Sequence, residues 1–142
     1  MWKLPSTLTA VLFAMLVLWP AAAADRKQAA GPAVGKKAPD FDLPVVGEDG
    51  FIELSDEYDQ GSVVVIVLRG YPGYQCPVCN RQVSALANRA KSLAQNAHRV
   101  ILVYPGEGTA LKRHAERFLG SRSLPDPLVI VRDDDMKMVR DW

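Results

Sequence analysis

The sequence predicts a single α/β domain built on a parallel sheet, and three observations predict it. First, short apolar runs rich in β-branched residues recur: Val63-Val64-Val65-Ile66-Val67-Leu68, Val100-Ile101-Leu102-Val103-Tyr104 and Leu128-Val129-Ile130-Val131. The first shows no polar alternation, so it is expected as a strand buried on both faces, and the second reads the same way. Second, the segments between these runs place apolar residues three and four apart, as amphipathic helices do. Third, 142 residues with 49% apolar content suffice for one ordinary domain with a packed core. Strand, helix, strand, helix, strand in that order implies right-handed crossovers and parallel pairing.

Along the chain, Met1-Trp2-Lys3 brings a positive charge and residues 8–19 form an apolar run. Pro20 and four alanines follow, before the charged Asp25-Arg26-Lys27. That succession is expected to be a secretory signal peptide over residues 1–24, cleaved after Ala23 or Ala24, so that the protein is exported to the periplasm or beyond. A membrane span needs about 20 apolar residues. This run is shorter and stops at Pro20, which disfavours a retained anchor. No other segment is apolar enough to cross a bilayer.

Residues 25–38, rich in Ala, Gly, Lys and Pro, lack periodicity and are expected as a flexible lead-in to a domain over residues 39–142. Two apolar runs, residues 41–46 and 51–54, flank Gly47-Glu48-Asp49-Gly50 and predict a β-hairpin, with Pro44 at an edge. Ser55-Asp56-Glu57-Tyr58 suits a capped helical turn. After the strand at 63–68, Val83, Leu86, Ala87, Ala90, Leu93, Ala94 and Ala97 predict one apolar helix face, with Arg81, Arg89, Lys91 and Gln95 opposite. Pro105-Gly106 stops the second strand. Thr109 is expected to cap a helix whose apolar face is Leu111, Ala115, Phe118 and Leu119, and Gly120 suits its end. After the third strand, Asp133-Asp134-Asp135 is expected at a helix start, its charge at the positive dipole end. A metal site there is the weaker reading, because no other acidic cluster accompanies the triad.

The formal charge is +1, and falls to zero once Lys3 leaves with the leader. Without a basic run the chain carries no electrostatic footprint for nucleic acid, and without a polybasic patch none for a membrane surface. Two cysteines are too few for a disulfide-stapled miniprotein, so the core must come from apolar packing.

Both cysteines lie in Gln75-Cys76-Pro77-Val78-Cys79-Asn80, directly after the first strand and directly before a helix. Pro77 suits the first helical turn, where its missing N–H would have gone unpaired. That places Cys76 near the N-cap and Cys79 in the first turn, where the positive end of the helix and its free N–H groups favour a thiolate. Free cysteine titrates near pH ~8.5, and sites of this kind lie at ~3.5–7.5. Such a pair can cycle between dithiol and disulfide without a metal or organic cofactor.

Competing readings are weaker. A structural bridge across two residues closes little chain and stabilises little. Zinc would need two further ligands, and only His98 and His114 exist, both far along the chain. His98 is expected as a capping or surface residue and His114 at the border of its helix. Asn80 follows Cys79, so the haem-attachment pattern with histidine is absent.

The residues from 63 to 86 resemble the alkyl hydroperoxide reductase/thiol-specific antioxidant family, a peroxiredoxin-like branch of the thioredoxin-fold superfamily. The likeness rests on Arg69-Gly70, on Cys76-Pro77-Val78-Cys79 and on Asn80, Arg81 and Gln82. Gly35-Lys36-Lys37-Ala38-Pro39-Asp40-Phe41 is similar to the opening of redoxin domains. The resemblance covers residues 34–142. It implies a thioredoxin-like, three-layer α/β fold with a mostly parallel central sheet. It also implies peroxide or disulfide as substrate, an external thiol as reductant, and a redox-active disulfide between Cys76 and Cys79, supported by Arg69, Pro72 and Pro77.

Which cysteine attacks stays open. Peroxiredoxins carry Pro-x-x-x-Thr/Ser-x-x-Cys, and Pro72, Cys76 and Cys79 fit that spacing with Cys79 as the peroxidatic thiol. In the thioredoxin pattern Cys76 attacks and Cys79 resolves. Gln75 stands where relatives carry Trp. The chain stops at Trp142, before the strand pair, cis-proline, activating arginine and final helix that the resemblance implies. An incomplete domain with an open, self-associating sheet edge at residues 63–68 is therefore expected. Three functions follow: an exported peroxidase, a thiol–disulfide oxidoreductase acting on exported proteins, or a shortened domain without turnover.

Overall fold

The computed structural model describes residues 31–70 and 75–142. The expected signal peptide, the first part of the lead-in and Pro72 lie outside the described residues. The expected hairpin forms from β1 (Asp42–Pro44) and β2 (Phe51–Glu53), paired antiparallel with Leu43 opposite Ile52. Val45 N–H closes its turn onto the Gly50 carbonyl at 3.0 Å.

Three parallel strands make the main sheet: β3 (Val63–Val67), β4 (Arg99–Gly106) and β5 (Leu128–Asp134), in the order β3-β4-β5. The register aligns Val65 with Ile101 and Ile101 with Val129. A bridge between Val45 and Val131, and a bond from Val46 N–H to the Ile130 carbonyl, dock the hairpin on the β5 edge.

Central β4 explains the core. Its side chains alternate between faces and both faces are covered, so an unbroken apolar run is what this position needs. Val100, Leu102 and Tyr104 pack on one side with Val83, Leu111, Ala115 and Phe118. Ile101 and Val103 pack on the other with Phe41, Leu43, Leu54 and Met138. The two layers are α2 (Pro77–Ala87), α3 (Ala90–Leu93) and α4 (Leu111–Leu119) on the first side, and α1 (Leu54–Gln60) and α5 (Lys137–Asp141) on the second. This three-layer arrangement is the thioredoxin-like fold expected from the resemblance.

Several local expectations are corrected. The strand at 63–68 is not buried on both faces: Val64 and Val67 are 42% and 46% exposed, while its place at the open edge of the sheet is as expected. Uniform hydrophobicity shows that no face is polar, but not how fully each face is covered. The helix after the cysteines breaks at Asn88 and Arg89 into α2 and α3, while Val83, Ala90 and Ala97 stay buried. Asparagine competes with helical backbone bonding, and an interruption that keeps phase is invisible to apolar spacing. Ser55 does not cap α1. Glu53 holds that position, and the Ser55 N–H donates instead to Asp40 Oδ1 at 3.1 Å. Ala110, not Thr109, precedes α4, whose end at Gly120 is as expected. His98, expected as a capping or surface residue, is partly exposed and sets its Nε2 3.2 Å from Oε2 of the buried Glu57, which also holds Arg99 at 2.8 Å.

Asp133 sits where the acidic triad was expected to act. It is fully buried, and its two carboxylate oxygens accept the Met138 and Val139 N–H groups at 3.0 Å each, tying β5 to α5. Asp133→Asn turns one acceptor into a donor facing an N–H. We expect a loss of about 1–3 kcal/mol in urea unfolding, and an unchanged midpoint would refute this capping role. Beyond α5, Trp142 packs against Phe41 with ring centroids 5.9 Å apart, and its Nε1 donates to the Pro39 carbonyl.

Candidate active site

The site lies at the C-terminal end of β3, beside that of β4. Leu68 N–H continues the pairing to the Val103 carbonyl at 2.8 Å. Gly70 then passes so close to β4 that a Cβ built on it would lie 1.8 Å from the Pro105 carbonyl oxygen, and its φ is +73°. Only glycine combines that left-handed conformation with that approach. The chain is described again from Gln75 and enters α2.

Cys76 is the N-cap of α2, with extended backbone (φ −79°, ψ 111°), and Pro77 occupies the first helical turn as expected. The Cys76 sulfur accepts the Cys79 N–H at 3.4 Å. Both cysteines are buried and both are free thiols, so the expected disulfide between Cys76 and Cys79 is not formed in this structure.

Electrostatics separate the two sulfurs. The Cys79 thiol donates to Cys76 and, with the Cys79 backbone N–H, holds Cys76 below the ordinary thiol range. The Val78 N–H and the Arg69 guanidinium add to this against the upward push of burial. Cys79 is pushed up, first by burial and then by its bond to Cys76, against a downward pull from the Arg69 backbone N–H. Arg69, Cys76, Pro77 and Cys79 therefore come together; Pro72 lies outside the described residues.

The spacing of the motif did not reveal what braces it. Gln75 replaces the aromatic wall with a polar clamp: its Nε2 donates to the His114 carbonyl at 2.9 Å, and its Oε1 accepts the Tyr104 hydroxyl at 3.1 Å. Strand and helix are thus tied together directly before Cys76. The Cys76 carbonyl accepts the Asn80 backbone N–H and its Nδ2, at 3.1 and 3.3 Å. Asn80 Oδ1 in turn accepts Arg122 Nη2 at 2.9 Å. Arg122 is itself pinned by the Leu119 and Phe118 carbonyls at the end of α4 and stacks on the Phe118 ring. Asn80 was legible from its place beside the motif. Arg122, 42 residues further on, offered no local signal. His114 sits at the border of its helix as expected, held below the ordinary histidine range by burial and by Arg117 and Arg113.

The Asp126–Pro127 bond is cis, and it precedes β5 at the end of the sheet opposite the cysteines. Among the described residues no group of three or more His, Cys, Asp or Glu side chains is gathered that could hold a metal.

A thioredoxin-like sheet with a Cys-x-x-Cys pair at the start of the helix after its edge strand defines the redoxin class. The profile of the AhpC/TSA family matches residues 34–142, and the chain belongs to that family. Membership makes it a peroxiredoxin-like redoxin and suggests thiol-dependent peroxidase or oxidoreductase activity. None of the curated proteins matches the chain.

Proposed function

We propose that this protein is an exported thiol peroxidase in which Cys76 attacks and Cys79 resolves. The observation that carries the reading is the asymmetry of the pair: one sulfur at the helix N-cap accepts the Cys79 N–H and is held low by the Cys79 thiol and that N–H, and the other is held high by burial.

In the first step the Cys76 thiolate attacks a peroxide oxygen. The S–O bond forms, the O–O bond breaks, and the leaving oxygen takes a proton to depart as alcohol or water. Cys79 then attacks the sulfenic sulfur; the S–S bond forms and hydroxide leaves as water with the proton that Cys79 held. Two equivalents of an external thiol return the pair to the dithiol. Gln75 and Asn80 keep the Cys76 backbone in place through both steps. The positive start, apolar run and alanines of residues 1–24 support export, and the place of β3 at the sheet edge, with Val64 and Val67 exposed, supports self-association.

A second reading has its own observation. Val78, between the two cysteines, is 61% exposed and offers an apolar contact for a protein disulfide. The two separate by substrate. We expect the purified protein to consume hydrogen peroxide with dithiothreitol present and to leave insulin disulfides intact. Reduction of insulin without peroxide consumption would replace the peroxidase by a thiol–disulfide oxidoreductase.

A further inference from the structure

We propose that the groove along the outer face of α2 binds the carboxylate of a small anionic thiol, the electron donor that reduces the oxidised pair; this rests on Cys76 and Cys79 being a redox couple. The groove is shallow and open to solvent, and is lined by Asn80, Arg81, Ser84, Ala85, Asn88 and Arg122.

One side chain joins it to the redox pair: Asn80, which lines the groove, also donates to the carbonyl of Cys76. Its charge names the ligand class. Two guanidinium groups line it and no carboxylate does, whereas the cavity beside the hairpin sets Glu48, Asp49 and Glu116 against Lys112 and Arg132.

The same bias extends over the surrounding chain. Residues 60–106 carry Arg69, Arg81, Arg89, Lys91 and Arg99 and no Asp or Glu, so a chain of net charge +1 concentrates its positive charge on the segment that builds the site. Arg99 spends its charge on buried Glu57. Arg81 is exposed and Arg122 is fixed by α4 carbonyls, which leaves a positive field over the groove. Such fields raise both the encounter rate and the selectivity for ligands of opposite charge.

The step balances. The donor thiolate attacks the Cys76 sulfur, a new S–S bond forms, and the bond to Cys79 breaks, releasing Cys79 as a thiolate that takes up a proton. A second donor thiolate then attacks the donor sulfur of the mixed disulfide, giving donor disulfide and the Cys76 thiolate. Two donor molecules are oxidised and one protein disulfide is reduced.

The test is a charge series on the oxidised full-length protein. Rates of disulfide reduction by 3-mercaptopropionate, 2-mercaptoethanol and cysteamine are each expressed per thiolate. We expect the order anionic, neutral, cationic, with the anionic-to-neutral ratio falling about tenfold in Arg81→Glu and collapsing in 0.5 M salt. Arg81→Gln, which adds no repulsion, should show a smaller fall in the same direction. Arg89→Glu makes the same charge change outside the groove and should keep a ratio near wild type. An unchanged ratio in both Arg81 variants, or an equal fall in Arg89→Glu, would overturn the groove as the binding site. If 2-mercaptoethanol fails to reduce the oxidised pair at all, the redox couple itself is refuted, and the donor site with it.

Discussion

Replacing Cys76 by Ser should abolish peroxide turnover, by about 10³-fold or more, as the loss of a covalent nucleophile does elsewhere. Cys79→Ser should keep the first attack: we expect one equivalent of peroxide to be consumed rapidly and a sulfenic acid to accumulate at Cys76, with no second cysteine in the chain to condense with it. The two variants therefore differ in kind, and a sulfenic-acid trap read by mass spectrometry tells them apart.

The pH dependence follows from the same asymmetry. Since Cys76 is held below the ordinary thiol range, its alkylation by iodoacetamide should persist to lower pH than that of a free cysteine and fall as pH drops through the lowered value. The Cys79 thiol is the largest cause of that lowering, so Cys79→Ala should move the midpoint upward. Should Cys76→Ser retain the fast first attack and Cys79→Ser lose it, the roles are reversed and Cys79 is the peroxidatic thiol of the Pro72 alignment.

Gly70→Ala carries the largest expected cost in stability. The added methyl would lie 1.8 Å from the Pro105 carbonyl oxygen, a fixed backbone atom of central β4, and φ is +73°. A left-handed alanine costs about 1–2 kcal/mol by itself. The clash adds a shift of the strand or of the turn, and the total should reach about 4 kcal/mol or more, much of the stability of a domain this size.

Gly108→Ala separates the two causes. Gly108 has φ +82° with nothing within 4 Å of its Cβ, so only the conformational cost should appear there. Denaturant midpoints of the two variants measure the difference. Equal losses would mean that the close approach to β4 carries no energy.

The legible parts of this protein were those written in local sequence. Cys76 at the N-cap and Pro77 in the first turn follow from residue type and spacing, and so do the hairpin about Asp49-Gly50 and the end of α4 at Gly120. Helical phase alone places Val83, Leu111, Ala115 and Phe118 on the core side, where they are buried. Each of these depends on interactions within a few residues, which is why the sequence displays them.

What escaped depends on contacts between distant segments. Asp40 takes the capping place expected of Ser55 at α1, and the imidazole of His98 finds Glu57 across the fold. Arg122 steadies Cys76 through Asn80 by a hydrogen bond between residues 42 apart. Apolar runs of equal strength became a strand covered on both faces at β4 and one with Val64 and Val67 exposed at β3, because hydrophobicity records what a strand tolerates and packing decides what it receives.

By itself the sequence determined the parallel α/β order of the chain and the reactive motif, since strand and helix periods and helix-start chemistry are local. Only the tertiary structure decided which sulfur is held low and which is held high. That difference is set by the Cys79 thiol and N–H aimed at Cys76 and by burial around Cys79, and these exist only once α2 is folded against the sheet.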